Sequence, residues 1–353
     1  MENDLAALRA EVKGMGGRVQ VAVENAVHAL LTGDSRLSSQ TILNDGHINR
    51  DMRRINYLCH TFIAKHLPAA RHLRIISAVL RANISLERIG DYAVTICREQ
   101  KQLRDPAIGK LAGDIELIAD ESRAMLRQAI TAFEQENAEL ARGTMLMADR
   151  IEHTFSHVFL DLLALSEDSE CDLRKIFALS SALTHLERIS DQAKNICEEA
   201  IFLVTAEEKP FKVYRILFLD ERNDTVGPMA EAIARKAYPE SGKYISRGSR
   251  PAERLSADMA EFMNRHGYDF SGLHPQALDL SPNDLEELHV IVSLRGPVSD
   301  YIEEIPFHTV DIEWDLPDPS VAGVEKKDWE EIYQHLLVNT RQLMETLRGK
   351  EAR

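Results

Sequence analysis

The chain has 353 residues, more than a common single domain holds, so two domains are the first expectation and a single small module is excluded. Apolar residues make up 44% and charged residues 28%, a globular balance that argues against disorder. With 42 basic against 57 acidic side chains the formal charge is −15, which disfavours broad binding to nucleic acid or to an anionic membrane surface.

No apolar run approaches the roughly 20 residues of a membrane span, and Met1-Glu2-Asn3-Asp4 lacks the order of a secretory signal, so membrane insertion is not expected and a cytoplasmic location is. Cys59, Cys97, Cys171 and Cys197 are too few and too scattered for a disulfide framework or a Cys-x-x-Cys zinc site, and read as reduced thiols. Of the twelve prolines, Pro68, Pro106 and Pro210 are the only ones before residue 211, and both tryptophans, Trp314 and Trp329, come after it. The change in punctuation puts a boundary between domains of 1–209 and 210–353. The net charge divides across it as −6 and −9, so charge alone does not separate them.

The first part reads as helical throughout, with apolar stripes at spacings of three and four such as Leu73, Ile76, Val79, Leu80 and Leu126, Ile130, Phe133. Brief breaks at Thr32–Ser35, Lys65–Pro68, Arg104–Pro106 and Ser166–Ser169 suit about six helices with antiparallel neighbours. Residues 86–99 return 100 residues later, identical at nine of fourteen positions, and predict two copies of a three-helix bundle.

Within each repeat, Leu86, Ile89, Ala93, Ile96 and Cys97 gather on one helical face while Glu87, Asp91 and Thr95 line the other, and Glu187, Asp191 and Asn195 repeat the arrangement. Two acids at i and i+4 repel by a few tenths of a kcal/mol, a cost that a bound cation converts into attraction. Carboxylate oxygens suit Mg²⁺, Mn²⁺ or iron. The helix before each repeat offers Asp45 and Asn49 in the first copy, and Met145 and Asp149 in the second. The bland reading is a solvated acid pair balanced by Arg88 and Arg188; the duplication favours a functional face. His60, His66 and His72 have no zinc spacing among them and read as core or surface histidines.

His66-Leu67-Pro68, Leu73-Arg74 and Leu86-Glu87-Arg88-Ile89-Gly90-Asp91-Tyr92-Ala93 resemble the PhoU family of phosphate-uptake regulators over about residues 1–207. The resemblance implies paired three-helix bundles, multinuclear metal clusters on the acidic faces, and a role coupling a phosphate-transporter ATPase to a sensor histidine kinase, with a homo-oligomer compatible with it. The implied ligands are Glu87, Asp91, Glu187 and Asp191, joined by Asp45 and Asp149. Thr95 stands where the family often has Asn, His72 where Asp is usual, and Met145 supplies no oxygen.

From Lys212 the pattern changes to an apolar run, Val213–Leu219, then a polar loop and a helix from Pro228 to Ala234. With a second run, His289–Leu294, and a terminal helix around Trp329–Leu347, this reads as an α/β domain with a parallel sheet. Ile216–Leu219 with Asn223 and Pro228–Glu231, Ser246–Ser249, Gly267–Asp269 and Trp314–Pro319 resemble the low-molecular-weight tyrosine phosphatase and arsenate reductase family over about 212–350. That family uses a cysteine nucleophile, an arginine six residues on, and an aspartate before a proline. The corresponding residues here are Asp220, Val226, which precedes Gly227, and Asp318. A phosphate cradle needs converging N–H groups and an arginine, whereas Asp220, Glu221 and Asp224 bring three carboxylates to the loop, relieved locally by Arg222.

The expectation is therefore a metal-binding regulator of phosphate uptake and signalling, carrying a catalytically inactive phosphatase-like module for docking or sensing. The alternative is an active phosphatase or arsenate reductase in which Asp220 serves as an unusual nucleophile.

Overall fold

The computed structural model describes residues 1–103, 111–166, 172–207, 211–268, 270, 274–306, 308–316, 326–349 and 352. The chain divides into two compact units, Met1–Lys209 and Pro210–Arg353.

The first unit is built from α1 (Glu2–Thr32), α2 (Ser35–His66), α3 (Arg71–Gln102), α4 (Ala112–Glu134), α5 (Ala138–Ser166) and α6 (Leu173–Thr205). Local chemistry sets several of their ends. Gly33 adopts φ 74° and closes α1, and the Asp34 carboxylate then accepts from the N–H groups of Arg36 and Leu37 to cap α2. Asp172 caps α6 in the same way through the N–H of Arg174.

Helices α1–α3 and α4–α6 form the two expected bundles, and α3 and α6, which carry the repeated segment, pack directly against one another. Their apolar faces are those the periodicity predicts: Leu86, Ile89, Ala93, Ile96 and Cys97 are buried, as are Leu186, Ile189, Ala193, Ile196 and Cys197. Leu126, Ile130 and Phe133 also join the core, but Leu73 is 48% exposed, because it lies in the first turn of α3 where the stripe runs off the bundle. Cys59, Cys97 and Cys197 are free and buried, while Cys171 lies outside the described residues, as do the break at Arg104–Pro106 and Asp318.

The second unit runs β1 (Tyr214–Asp220), α7 (Val226–Ala237), β2 (Gly242–Gly248), α8 (Ala257–Arg265), α9 (Pro282–Glu286), β3 (Val290–Ser293), β4 (Val310–Glu313) and α10 (Lys326–Arg348). Its four described strands pair in the order β2-β1-β3-β4, all parallel. Alternate residues of β1 enter two separate cores: Ile216 and Phe218 pack with α7, α8 and α10, while Leu217 and Leu219 pack with Leu288, Ile291, Val298 and Ile302 on the other face. Burial of both faces explains why β1 reads as an unbroken apolar run rather than an alternating one.

Because Ile89 and Ile189 are both fully buried at equivalent places in α3 and α6, Ile89→Ala and Ile189→Ala should each destabilise the helical unit by about 2–5 kcal/mol. Chemical denaturation followed by circular dichroism at 222 nm would measure both.

Candidate functional site

Two places combine unusual charge with burial, one in each unit. In the helical unit, Asp45 on α2 faces the acidic side of α3. The closeness of the two helices depends on Gly90, where an added Cβ would lie 3.1 Å from Cδ1 of Ile48 and 3.6 Å from Oδ1 of Asp45. Asp45 accepts one hydrogen bond from Asn49 Nδ2 to Oδ2 at 2.6 Å, while its Oδ1 is buried and makes no hydrogen bond. Burial raises the pKa of Asp45, and the charge of Asp91 adds to the rise. Glu87 is raised likewise by burial and then by Asp91 and Asp45, against the opposing charge of Arg88. Asp45, Glu87 and Asp91 thus share one negative field.

The second copy keeps the pair and changes the third member. Glu187 is pushed up to about 7, first by burial and then by the charges of Asp191 and Glu152. Asp149, the residue suggested by the 100-residue offset, is largely exposed and lies 3.9 Å from Lys194. Glu152 was not anticipated, since the repeat aligns it with Met52 rather than with an acid. The signal that could have found it is helical: Glu152 is one turn along α5 from Asp149. Met145 packs against the core. Thr95 directs its hydroxyl to the backbone carbonyl of Asp91, and Asn195 donates to Gln192.

Carboxylate oxygens that repel one another, one of them buried without a donor, match the chemistry of a hard or borderline cation. Among the described residues, however, no group of three or more His, Cys, Asp or Glu side chains stands close enough to hold a metal ion.

In the α/β unit, Asp220 ends β1 with no exposed surface. Its Oδ1 accepts from Nη2 of Arg295 at 2.8 Å and its Oδ2 from the backbone N–H of Gly227 at 3.3 Å, at the start of α7. Burial raises the Asp220 pKa in spite of Arg295, which pulls it down. The carboxylate occupies the mouth of a strand-loop-helix turn, where an anion would otherwise meet the helix N-terminus. Arg295 follows β3 and is held there through its carbonyl, which accepts from the hydroxyls of Ser293 and Tyr301.

The rest of the loop is closed on itself. Asn223 takes φ 48° and donates from Nδ2 to the carbonyls of Ser246 (3.2 Å) and Gln276 (3.3 Å). Gly227 has no room for a side chain, since a Cβ there would stand 2.5 Å from Oδ1 of Asn223. Val226 is fully buried among apolar neighbours. Arg222 pairs with Asp224 at 3.1 Å, so the relief of Asp220 comes from Arg295 and not from its near neighbour in sequence. Asp318, the third residue of the expected set, lies outside the described residues.

With this geometry in view, the likeness to known proteins is specific. The family model described as "PhoU domain" matches residues 12–100 and again 115–200, and the model for low molecular weight phosphotyrosine protein phosphatase matches 215–353. A phosphate-specific transport system accessory protein PhoU homolog of Pseudomonas putida is 34% identical over 203 residues, covering 57% of this chain and 79% of that one. The PhoU protein of Escherichia coli is 28% identical over 206 residues, 58% of this chain and 85% of its own. The crystal structure of PhoU from Pseudomonas aeruginosa superposes with a TM-score of 0.56 at 30% identity, covering 58% of this chain and 99% of that one. These features define a pair of PhoU bundles followed by a phosphatase-type α/β domain. The chain belongs to the PhoU family.

The Asp220–Arg295 pair leads to a specific expectation. Arg295→Met, which strands a buried carboxylate, should cost about 3–5 kcal/mol, whereas the double change Arg295→Met with Asp220→Leu should recover most of that loss. Urea unfolding of the two variants beside the parent measures the difference.

Proposed function

We propose that this chain is a metal-binding regulator of phosphate uptake and phosphate signalling, whose phosphatase-like domain acts without catalysis as a docking or sensing module. The observation that carries the reading is the match of both helical bundles to PhoU, together with relatives named as accessory proteins of a phosphate-specific transport system. The contacts through which it acts are a phosphate-transporter ATPase, a sensor histidine kinase, or both. None of the described helices is long and apolar enough to cross a membrane.

Glu87, Asp91 and Asp45 on the first bundle, and Glu187, Asp191 and Glu152 on the second, with Asp149 able to join from the neighbouring turn, would hold metal by closing on the ion from positions in which, among the described residues, they do not yet stand close enough to hold it. A bound iron, Mn²⁺ or Mg²⁺ supplies positive charge where these carboxylates otherwise repel. The residues themselves couple that charge to the fold. Glu87 and Glu187 stand beside Leu86 and Leu186, which are buried in the common core, so anything that draws the acids together acts on helices already packed against each other.

Two features support an inactive phosphatase domain. The residue in the nucleophile position is a carboxylate with no exposed surface and with both oxygens engaged, and the arginine that faces it pairs with that carboxylate. An incoming phosphate would meet Asp220 where it needs donors. No observation favours Asp220 as a nucleophile, which would need a free oxygen turned toward solvent.

Protein purified without chelator or affinity metal should carry stoichiometric metal by elemental mass spectrometry. A folded variant with Glu87→Gln, Asp91→Asn, Glu187→Gln and Asp191→Asn should carry none; equal metal in both would sink the assignment. Turnover of an aryl phosphate should stay at the buffer rate for the parent and for Asp220→Asn alike. A rate that rises with enzyme concentration and falls in Asp220→Asn would restore the enzymatic alternative. Loss of partner contact or of phosphate-dependent output on removal of residues 212–353 is expected if the α/β unit docks or senses.

A further inference from the structure

A second concavity in the α/β unit is independent of the Asp220 loop chemistry and of the metal faces. It is a cleft of about 320 Å³ between α7, the edge strand β2, and the residues Gly267, Tyr268, His274 and Gln276. It is too large for an inorganic oxyanion alone and falls at the lower end of ordinary small-molecule sites. Its charge runs against that of its surroundings: Arg235, Lys236 and Arg247 line it together with one acid, Glu231, in a part of the chain whose net charge is −9.

The cleft is built rather than incidental. Ser246, only 3% exposed, donates from Oγ to Oε2 of Glu231 at 2.7 Å, and Arg235 pairs with the other oxygen of the same carboxylate. Arg247 is held against the backbone by a 2.8 Å bond from Nη1 to the carbonyl of Ser246. At the far side Lys236 donates to the carbonyl of Gly267 at 2.8 Å and stands over the ring of Tyr268, 4.2 Å from its centre. Apolar surface from Pro228, Ala232 and Leu255 completes the wall.

Two guanidinium groups at one side, and at the other an aromatic ring beneath the Lys236 ammonium with apolar surface beside it, form a division of labour. The guanidinium groups suit phosphate oxygens bidentately, and the ring and aliphatic wall suit a flat heterocycle. We propose that this cleft binds a nucleoside phosphate, with Arg247 and Arg235 toward the phosphate and Tyr268, Leu255 and Lys236 toward the base and sugar. It gives the α/β unit a ligand of its own, adjacent to the closed Asp220 loop through Ser246 of β2, whose carbonyl accepts from Asn223.

Isothermal titration of the full-length chain with AMP, ADP, GMP and inorganic phosphate tests this. Saturable binding of at least one nucleotide is expected, weakened tenfold or more in Arg247→Gln and in Lys236→Gln. Thermal unfolding at the parent temperature certifies each variant, and if Arg247→Gln does not fold, Lys236→Gln decides. No heat from any nucleotide at millimolar concentration overturns the proposal, as does binding that survives in both cleft variants. Inorganic phosphate binding as tightly as the nucleotides overturns it too, since the ring would then contribute nothing.

Discussion

The contact between α3 and α6 is the constraint on which the helical unit depends. Each of these helices carries one face of Leu, Ile, Ala and Cys side chains that water disfavours, and one face of paired acids that a low-dielectric interior would reject. Packing the apolar faces into a common core leaves only one direction for the carboxylates. The acidic faces are therefore fixed in place by the same burial that holds the bundles together. Charge repulsion between Glu87 and Asp91, or Glu187 and Asp191, is too small to compete with burial of several large side chains per helix.

The α/β unit meets the opposite problem, a charge at the centre. β1 is covered on both faces, so the residue at its end is carried into the interior whatever it is. A thiolate or a bound phosphate could sit there among N–H groups. A carboxylate needs a cation, and Arg295 supplies it from the segment after β3, the strand beside β1 in the sheet. The result is a loop that makes for itself the anion contact its architecture would offer to a ligand. The cleft lined by Arg235, Lys236 and Arg247 then lies beside a closed loop, and the two features divide the work of that domain between stability and recognition.

Local patterns made much of this legible. The breaks at Thr32–Ser35 and Lys65–Pro68 fall where α1 and α2 end, and the repeat at residues 86–99 and 186–199 marks the pair of helices at the centre of the unit. The acid pairs, too, were visible as a spacing. The third member of each acidic group was less so, because it comes from a different helix whose rotation about its own axis is not written in the repeat. Asp45 was found through the first copy. In the second copy the same offset led to Asp149, whereas the charges acting on Glu187 are those of Asp191 and then Glu152. Where the first copy has Asp45 the second has Met145, and the acid that acts on Glu187 from α5 is Glu152, two turns further along.

By itself the sequence determined the division near residue 210, the helical and α/β characters of the two parts, the duplicated Glu-x-x-x-Asp faces, and the absence of a cysteine at the end of β1. All of these rest on periodicity and residue type within a few turns of chain. Only the tertiary structure decided which residues answer those features. Asp220 and Arg295 are 75 residues apart, and they meet because β1 and β3 are neighbours in a parallel sheet. Arg222, two residues from Asp220 and the obvious partner by proximity, turns instead to Asp224. Proximity along the chain governs caps and turns, whereas neutralising a buried charge depends on which strands lie side by side, and strand order is a property of the whole fold.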